Sequence, residues 1–116
     1  MRITRIYSGE DGESHFEDVE IPLQEFGEIG RISEQLRATG IVFRETDRDY
    51  DFDFHCAPRR QYVINLNAPV EIEIGDGSTR RIEAGEILLA EDTTGRGHRS
   101  RAVDGQPRSC VFVTLD

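Results

Sequence analysis

Histidine is the side chain best suited to moving a proton or holding a metal near neutral pH. It occurs three times in this chain, at His15, His55 and His98. His55 opens the stretch HCAPRRQYVINLNAP, positions 55 to 69. Side chains alternate between the two faces of a strand. From 53 to 65 the odd positions are Asp53, His55, Ala57, Arg59, Gln61, Val63 and Asn65. The even positions run Phe54, Cys56, Pro58, Arg60, Tyr62, Ile64 and Leu66. One face therefore gathers the groups that do chemistry, and the other is mostly apolar. Pro58 interrupts the register, so the alternation is firmest on either side of it. Arg59 and Arg60 face opposite ways, so at most one of them can point inward. Cys56 faces away from His55 and takes no catalytic role. His98 ends a second polar stretch, EDTTGRGH (91–98). Asp92, Thr93 and Thr94 there are turn formers by composition. They also lie on the loop leading to His98, where a substrate would make contact.

The elements that carry these residues are short and β-rich. Candidate strands are 2–7, 15–21, 41–45, 50–55, 61–67, 70–74, 78–83, 86–91, 98–103 and 109–115. Between them lie SGEDGES, ETDRD, NAP, GDG, AG, TTGRG and DGQP, all rich in turn residues. The GDG at 75–77 is the clearest hairpin signal, because Asp-Gly suits turns that need positive φ. Residues 28–40 hold too many breakers for a long helix and read as irregular. Many short strands with almost no helix mean an all-β sandwich or barrel. In a plain sandwich the polar face of 53–65 meets water. A barrel enclosing a polar cavity inverts this, and its apolar outer face must then be covered. A homodimer mate is the obvious cover.

Composition narrows the rest. At 116 residues the chain has room for one domain, taken as 1–116. No apolar run approaches the ~20 residues of a membrane span, and the first residues lack a signal-peptide core. A soluble, cytoplasmic protein is expected. The net charge of −9 argues against nucleic acid or an anionic membrane as partner. All 14 basic residues are arginines, so lysine Schiff-base chemistry is excluded. Cys56 and Cys110 form no C-x-x-C pair, and a disulfide framework or thiolate zinc site is not expected.

From His55 to His98 the sequence resembles the cupin family of small jelly-roll β-barrels. His55 takes the place of the first histidine in that family's first motif. Ala57 stands where the second histidine belongs, and Gln61 where the glutamate belongs. Ala68 falls at the closing glycine, and NAPVEIEIGDG matches the hairpin that follows. Gly85 opens the second motif, and His98 fits its histidine two residues later than usual. The combination of DGESHFEDVEIPL, HCAPRRQ and EDTTGRGH also resembles short, single-domain bacterial cupins of uncharacterised activity.

The resemblance implies a cupin-type jelly-roll barrel with a small-molecule ligand in a polar cavity around His55, Gln61 and His98. It opens two chemistries. In the first, one divalent transition metal (Fe, Mn, Ni or Zn) sits on His55, His98 and Gln61, with His15 as a fourth candidate. His15 also reads simply as a surface strand residue. An oxygenase or lyase would follow. In the second no metal is bound. His55 or His98 acts as general base in an isomerase or epimerase, oriented by Asp53 or Asp92. Arg44 and Arg59 would hold an anionic substrate, with Gln61, Asp92 and Thr93 as further contacts. A non-catalytic ligand-binding cupin is the third reading.

Overall fold

The computed structural model describes residues 1–116. All ten expected strands form, with ends shifted by one or two residues. In chain order they are β1 (Arg2–Ser8), β2 (Ser14–Glu20), β5 (Gly40–Thr46), β6 (Asp51–His55), β7 (Gln61–Asn65), β8 (Val70–Glu73), β9 (Thr79–Ile82), β10 (Ile87–Glu91), β11 (His98–Ala102) and β12 (Arg108–Thr114). Two short strands, β3 (Gln24–Glu25) and β4 (Arg31–Ile32), flank a 3₁₀ turn at Gly27–Ile29. The expected irregular segment therefore contains part of a small hairpin, and no regular structure follows from 33 to 39. No helix is long and apolar enough to cross a membrane.

The strands make two facing sheets. One has six strands in the order β2-β1-β10-β7-β12-β5; the other has four, β6-β11-β8-β9. No ladder joins one sheet to the other, so the expected closed barrel is an open jelly-roll of two sheets around a cavity. The pairing of β1 with β10 is parallel, and the other ladders are antiparallel. The predicted GDG hairpin joins β8 to β9, with Gly77 at φ 88°.

Alternation decides what fills the interior. Val70 and Ile72 from β8, Ile82 from β9, Leu88 and Ala90 from β10 and Ile6 from β1 form the core, each buried. Each fully buried branched side chain contributes about 1.5–3 kcal/mol. The opposite residues of the six-stranded sheet line its outer face, which is apolar over much of β5, β12, β7 and β10 and charged toward β1 and β2, where Arg5 and Glu17 extend the row of Leu89. Register places Phe43, Val111, Ile64 and Ile87 in one cross-strand row. Ile41, Val113, Tyr62 and Leu89 form the next row.

Candidate functional site

The cavity between the sheets has a volume of about 190 Å³. Its floor is the apolar core; its other end is polar. β7 contributes Gln61 and Asn65, β5 contributes Arg44, and β12 contributes Arg108 and Phe112. Across from them, β6 supplies Phe52 and His55, and β11 supplies His98 and Ser100. Tyr50 completes the wall.

His55 and His98 are cross-strand partners, and their ring centroids lie 4.6 Å apart. That pairing depends on Gly97. It has φ 79°, and a Cβ there would lie 2.0 Å from the His55 carbonyl oxygen. Only glycine permits both the backbone angle and this approach. Each histidine has its Nδ1 committed. His55 Nδ1 lies 2.8 Å from the Asp53 carbonyl oxygen, so it must be the protonated, donating nitrogen. His98 Nδ1 lies 2.5 Å from Asp92 Oδ2, which also accepts from Ser14 Oγ at 2.7 Å. In both rings Nε2 is left free to serve the cavity. Burial holds His55 below the usual histidine pKa, against the Asp53 hydrogen bond, and the charge of Arg44 adds to that lowering. His55 is therefore neutral at pH 7, with a lone pair on Nε2. Its ring stacks on Phe52 at 3.9 Å between centroids.

The two guanidinium groups are the distinctive charges. Arg108 is buried, and its side chain donates to Asn65 Oδ1 at 3.0 Å. Asn65 is held in turn by donating to the Ile82 carbonyl at 2.9 Å. Arg44 is half-buried, and its Nε is buried without a hydrogen-bond partner. Both stand over the Tyr50 ring, at 5.4 Å for Arg44 and 5.6 Å for Arg108. Arg44 also stands 4.7 Å from the centre of the Phe112 ring. Neither guanidinium has a carboxylate within ion-pair distance, whereas Arg5, Arg60, Arg99 and Arg101 all do. Burial lowers the Arg108 pKa from the ordinary arginine value, and Arg44's charge adds to this. Beside these cations, Gln61 Oε1 is buried with no partner.

The structure brings together His55, Gln61, His98 and Arg44 of the sequence candidates. It removes four others from the cavity wall. Arg59 lies in the exposed turn after Pro58, outside the cavity, because the chain leaves the sheet there. Its neighbour Arg60 turns away to Glu91 at 2.6 Å. Asp92 is fully buried behind His98, where it orients the ring rather than touching a ligand. Thr93 is exposed on the loop beyond. His15 sits on the edge strand β2, paired with Asp11 at 3.0 Å, and does not line the cavity with the other two histidines. Asp53 also leaves the polar face. A bulge in β6 opposite His98–Ser100 puts Phe52 in register with Ser100 and turns the Asp53 side chain out to solvent. Cys56 donates to the Gly95 carbonyl, away from the cavity as expected.

No three His, Cys, Asp or Glu side chains meet in a metal-binding arrangement. The donors facing the cavity are two imidazoles and an amide oxygen, next to two arginines without carboxylate partners. A donor set without an anionic ligand, beside fixed positive charge, does not fit a resident divalent cation. Arg108, Tyr50 and Ser100 were not anticipated. Alternation along β12 was the available signal, since Arg108, Cys110 and Phe112 share one face with the cavity.

No family model matches the sequence, and no curated protein matches it. Solved structures do. One is a protein from Neisseria meningitidis, with a TM-score of 0.52 and 18% identity over 70% of this chain and 79% of that one. Another is an uncharacterized conserved protein with a double-stranded β-helix domain from Klebsiella pneumoniae. Its TM-score is 0.51 and its identity 19%, over 69% of this chain and 67% of that one. The shared fold is the double-stranded β-helix.

Proposed function

We propose that this cupin-type protein binds a compact organic anion, a small carboxylate, in the cavity between its sheets. One observation carries the reading: Arg44 and Arg108 enter the same enclosed space with no carboxylate of their own. A buried charge without a counter-charge is costly. A ligand carboxylate would supply it, forming charge-assisted hydrogen bonds worth about 1.5–3 kcal/mol each. Gln61 and the two free Nε2 atoms add polar contacts, while Val63, Leu88 and Ile72 take a short apolar part. The cavity of about 190 Å³ falls below the ~300 Å³ at which drug-sized pockets begin. A nucleotide-linked sugar does not suit it.

A second reading rests on the histidine pair. His55 is kept neutral by burial, and His98 is braced by Asp92 as a base is braced in acid–base enzymes. If the bound carboxylate carries a carbonyl, either Nε2 can take a proton from the adjacent carbon. That is the first step of an isomerase, epimerase or lyase that needs no metal.

The test is calorimetric titration with acetate, malonate and pyruvate as probes, on untagged protein. At least one should bind the wild type and fail to bind Arg44→Met/Arg108→Met. Equal binding by that variant would sink the anion reading. Elemental analysis of the same preparation should find transition metal well below one per chain. Exchange of pyruvate methyl protons in D₂O, followed by NMR, tests the second reading. His55→Asn/His98→Asn should abolish exchange while weakening binding far less than Arg44→Met/Arg108→Met does.

A further inference from the structure

We infer that the ligand also carries a hydroxyl, set beyond the carbon next to its carboxylate, and that Gln61 selects for it; this rests on a carboxylate being held by Arg44 and Arg108. The Gln61 side chain lines the cavity and is only 5% exposed. Its Oε1 is buried without a hydrogen-bond partner. That oxygen needs a donor. An ionised carboxylate only accepts hydrogen bonds, and so does a ketone. A hydroxyl is the neutral group that donates one. An ammonium also donates, but it would enter a cavity that already holds two guanidinium groups, and like charges repel. His55 makes the same demand, because Nδ1 carries its hydrogen and Nε2 is left as an acceptor. A ligand that displaces water from such acceptors keeps its affinity only if it replaces the lost hydrogen bonds.

The two ends of the cavity fix where the hydroxyl sits. At one end Arg108 donates to Asn65, and both guanidinium groups stand over Tyr50. The Tyr50 hydroxyl lies 2.6 Å from Ser100 Oγ. The other end holds the histidines. Gln61 belongs there, since it pairs with Ala90, just before the Asp92 that holds His98. From Gln61 to Asn65 is about 13 Å of strand, and from His98 to Ser100 about 7 Å. Between the ends lies Val63, with Leu88 and Phe112 beside it, so the middle is apolar. Arg44 reaches in to 4.7 Å from the Phe112 ring. A carboxylate held there still stands one side-chain row from Gln61. A hydroxyl on the adjacent carbon stays with the arginines. One on the third or fourth carbon crosses the apolar row and reaches Gln61. Only a short chain suits a cavity of about 190 Å³.

The test is calorimetric titration of untagged protein with butyrate and its 2-, 3- and 4-hydroxy derivatives. The wild type should bind the 3- or 4-hydroxy acid roughly 5- to 150-fold more tightly than butyrate, the range set by one unsatisfied buried acceptor. A site built for a hydroxyl rejects the analogue that lacks it. 2-Hydroxybutyrate should gain little over butyrate. Gln61→Leu fills the same space without the acceptor. It should bind butyrate at least as well as the wild type and lose the preference for the hydroxy acids. Its melting temperature should not fall, because an unpaired buried acceptor has been removed. Arg44→Met/Arg108→Met should bind none of the four.

The hydroxyl and the carboxylate fail in different ways. Butyrate bound as tightly as both distal hydroxy acids, yet lost in the arginine variant, would overturn the hydroxyl and leave the carboxylate standing. Tightest binding of 2-hydroxybutyrate would overturn its placement, and a preference unchanged in Gln61→Leu would overturn the role of Gln61. Wild type that binds none of the four, or an arginine variant that binds them equally well, would remove the carboxylate itself. The wild-type series decides on the hydroxyl without any variant.

Discussion

Replacing Arg44 with Met should stabilise the free protein and weaken anion binding, two effects of opposite sign from one substitution. In the free protein the guanidinium has a buried Nε with no partner and shares the cavity with Arg108. An unsatisfied buried donor costs about 1–3 kcal/mol. The stacking on Tyr50 and Phe112 returns about 0.5–1 kcal/mol per ring. Arg44 is only half-buried, so solvent screens part of the cost. Met keeps the length and most of the ring contact while removing the charge. The net gain is about 1 kcal/mol, or a rise in melting temperature of roughly 4 °C for a chain of this size. Binding moves the other way. Truncating one partner of a buried charge pair costs about 2–5 kcal/mol, a loss of roughly 30- to 5,000-fold in affinity. The assay is differential scanning calorimetry with and without malonate at low salt. An Arg44→Met variant that melts lower than wild type, yet responds equally to malonate, would refute the reasoning.

Gly97→Ala combines a left-handed φ with a backbone clash against His55. It should cost more than about 3 kcal/mol, measured by urea unfolding, with loss of the His55–His98 pairing. Asp92→Asn removes the buried charge that accepts from both Ser14 and His98. A loss of about 2–3 kcal/mol is expected, and an unchanged urea midpoint would show that the carboxylate is not what braces His98. Burial keeps the folded-state pKa of His55 below its unfolded value, so the unfolded chain takes up the proton first on acidification. The stability this contributes is complete above about 6.5 and is lost as the pH falls through the folded-state value. His55→Asn should flatten that part of the melting-temperature profile, and an unchanged profile would remove His55 as its source.

Much of the site was legible because strand periodicity is a local property. The alternation around Gln61 placed it and Asn65 on the cavity face, and motif spacing paired His55 with His98 across β6 and β11. Asp53 was misplaced because one bulged residue reverses facing, and a bulge leaves no mark in a pattern of two. Arg59 was misplaced because alternation ends where the strand ends. Asp92 illustrates a different limit: the loop position was legible, but the turn toward Ser14 depends on a hairpin near the other end of the chain. The Arg44–Arg108 pair joins β5 to β12, neighbours in the sheet but far apart in sequence. The β3–β4 hairpin went unread because the apolar residues of 22–39 show no period.

The bond from Ser14 to Asp92 spans 78 residues, and through it the first hairpin braces His98. During synthesis, β2 leaves the ribosome early and must wait for β10 and β11 before that bond can form. The parallel pairing of β1 with β10 carries the same delay. Such non-local closure places folding on the millisecond-to-second scale typical of β-sandwiches. The cavity is thus among the last parts of the molecule to appear. A nascent chain arrested between residues 55 and 91 has two of its histidines and Ser14, but neither Asp92 nor His98.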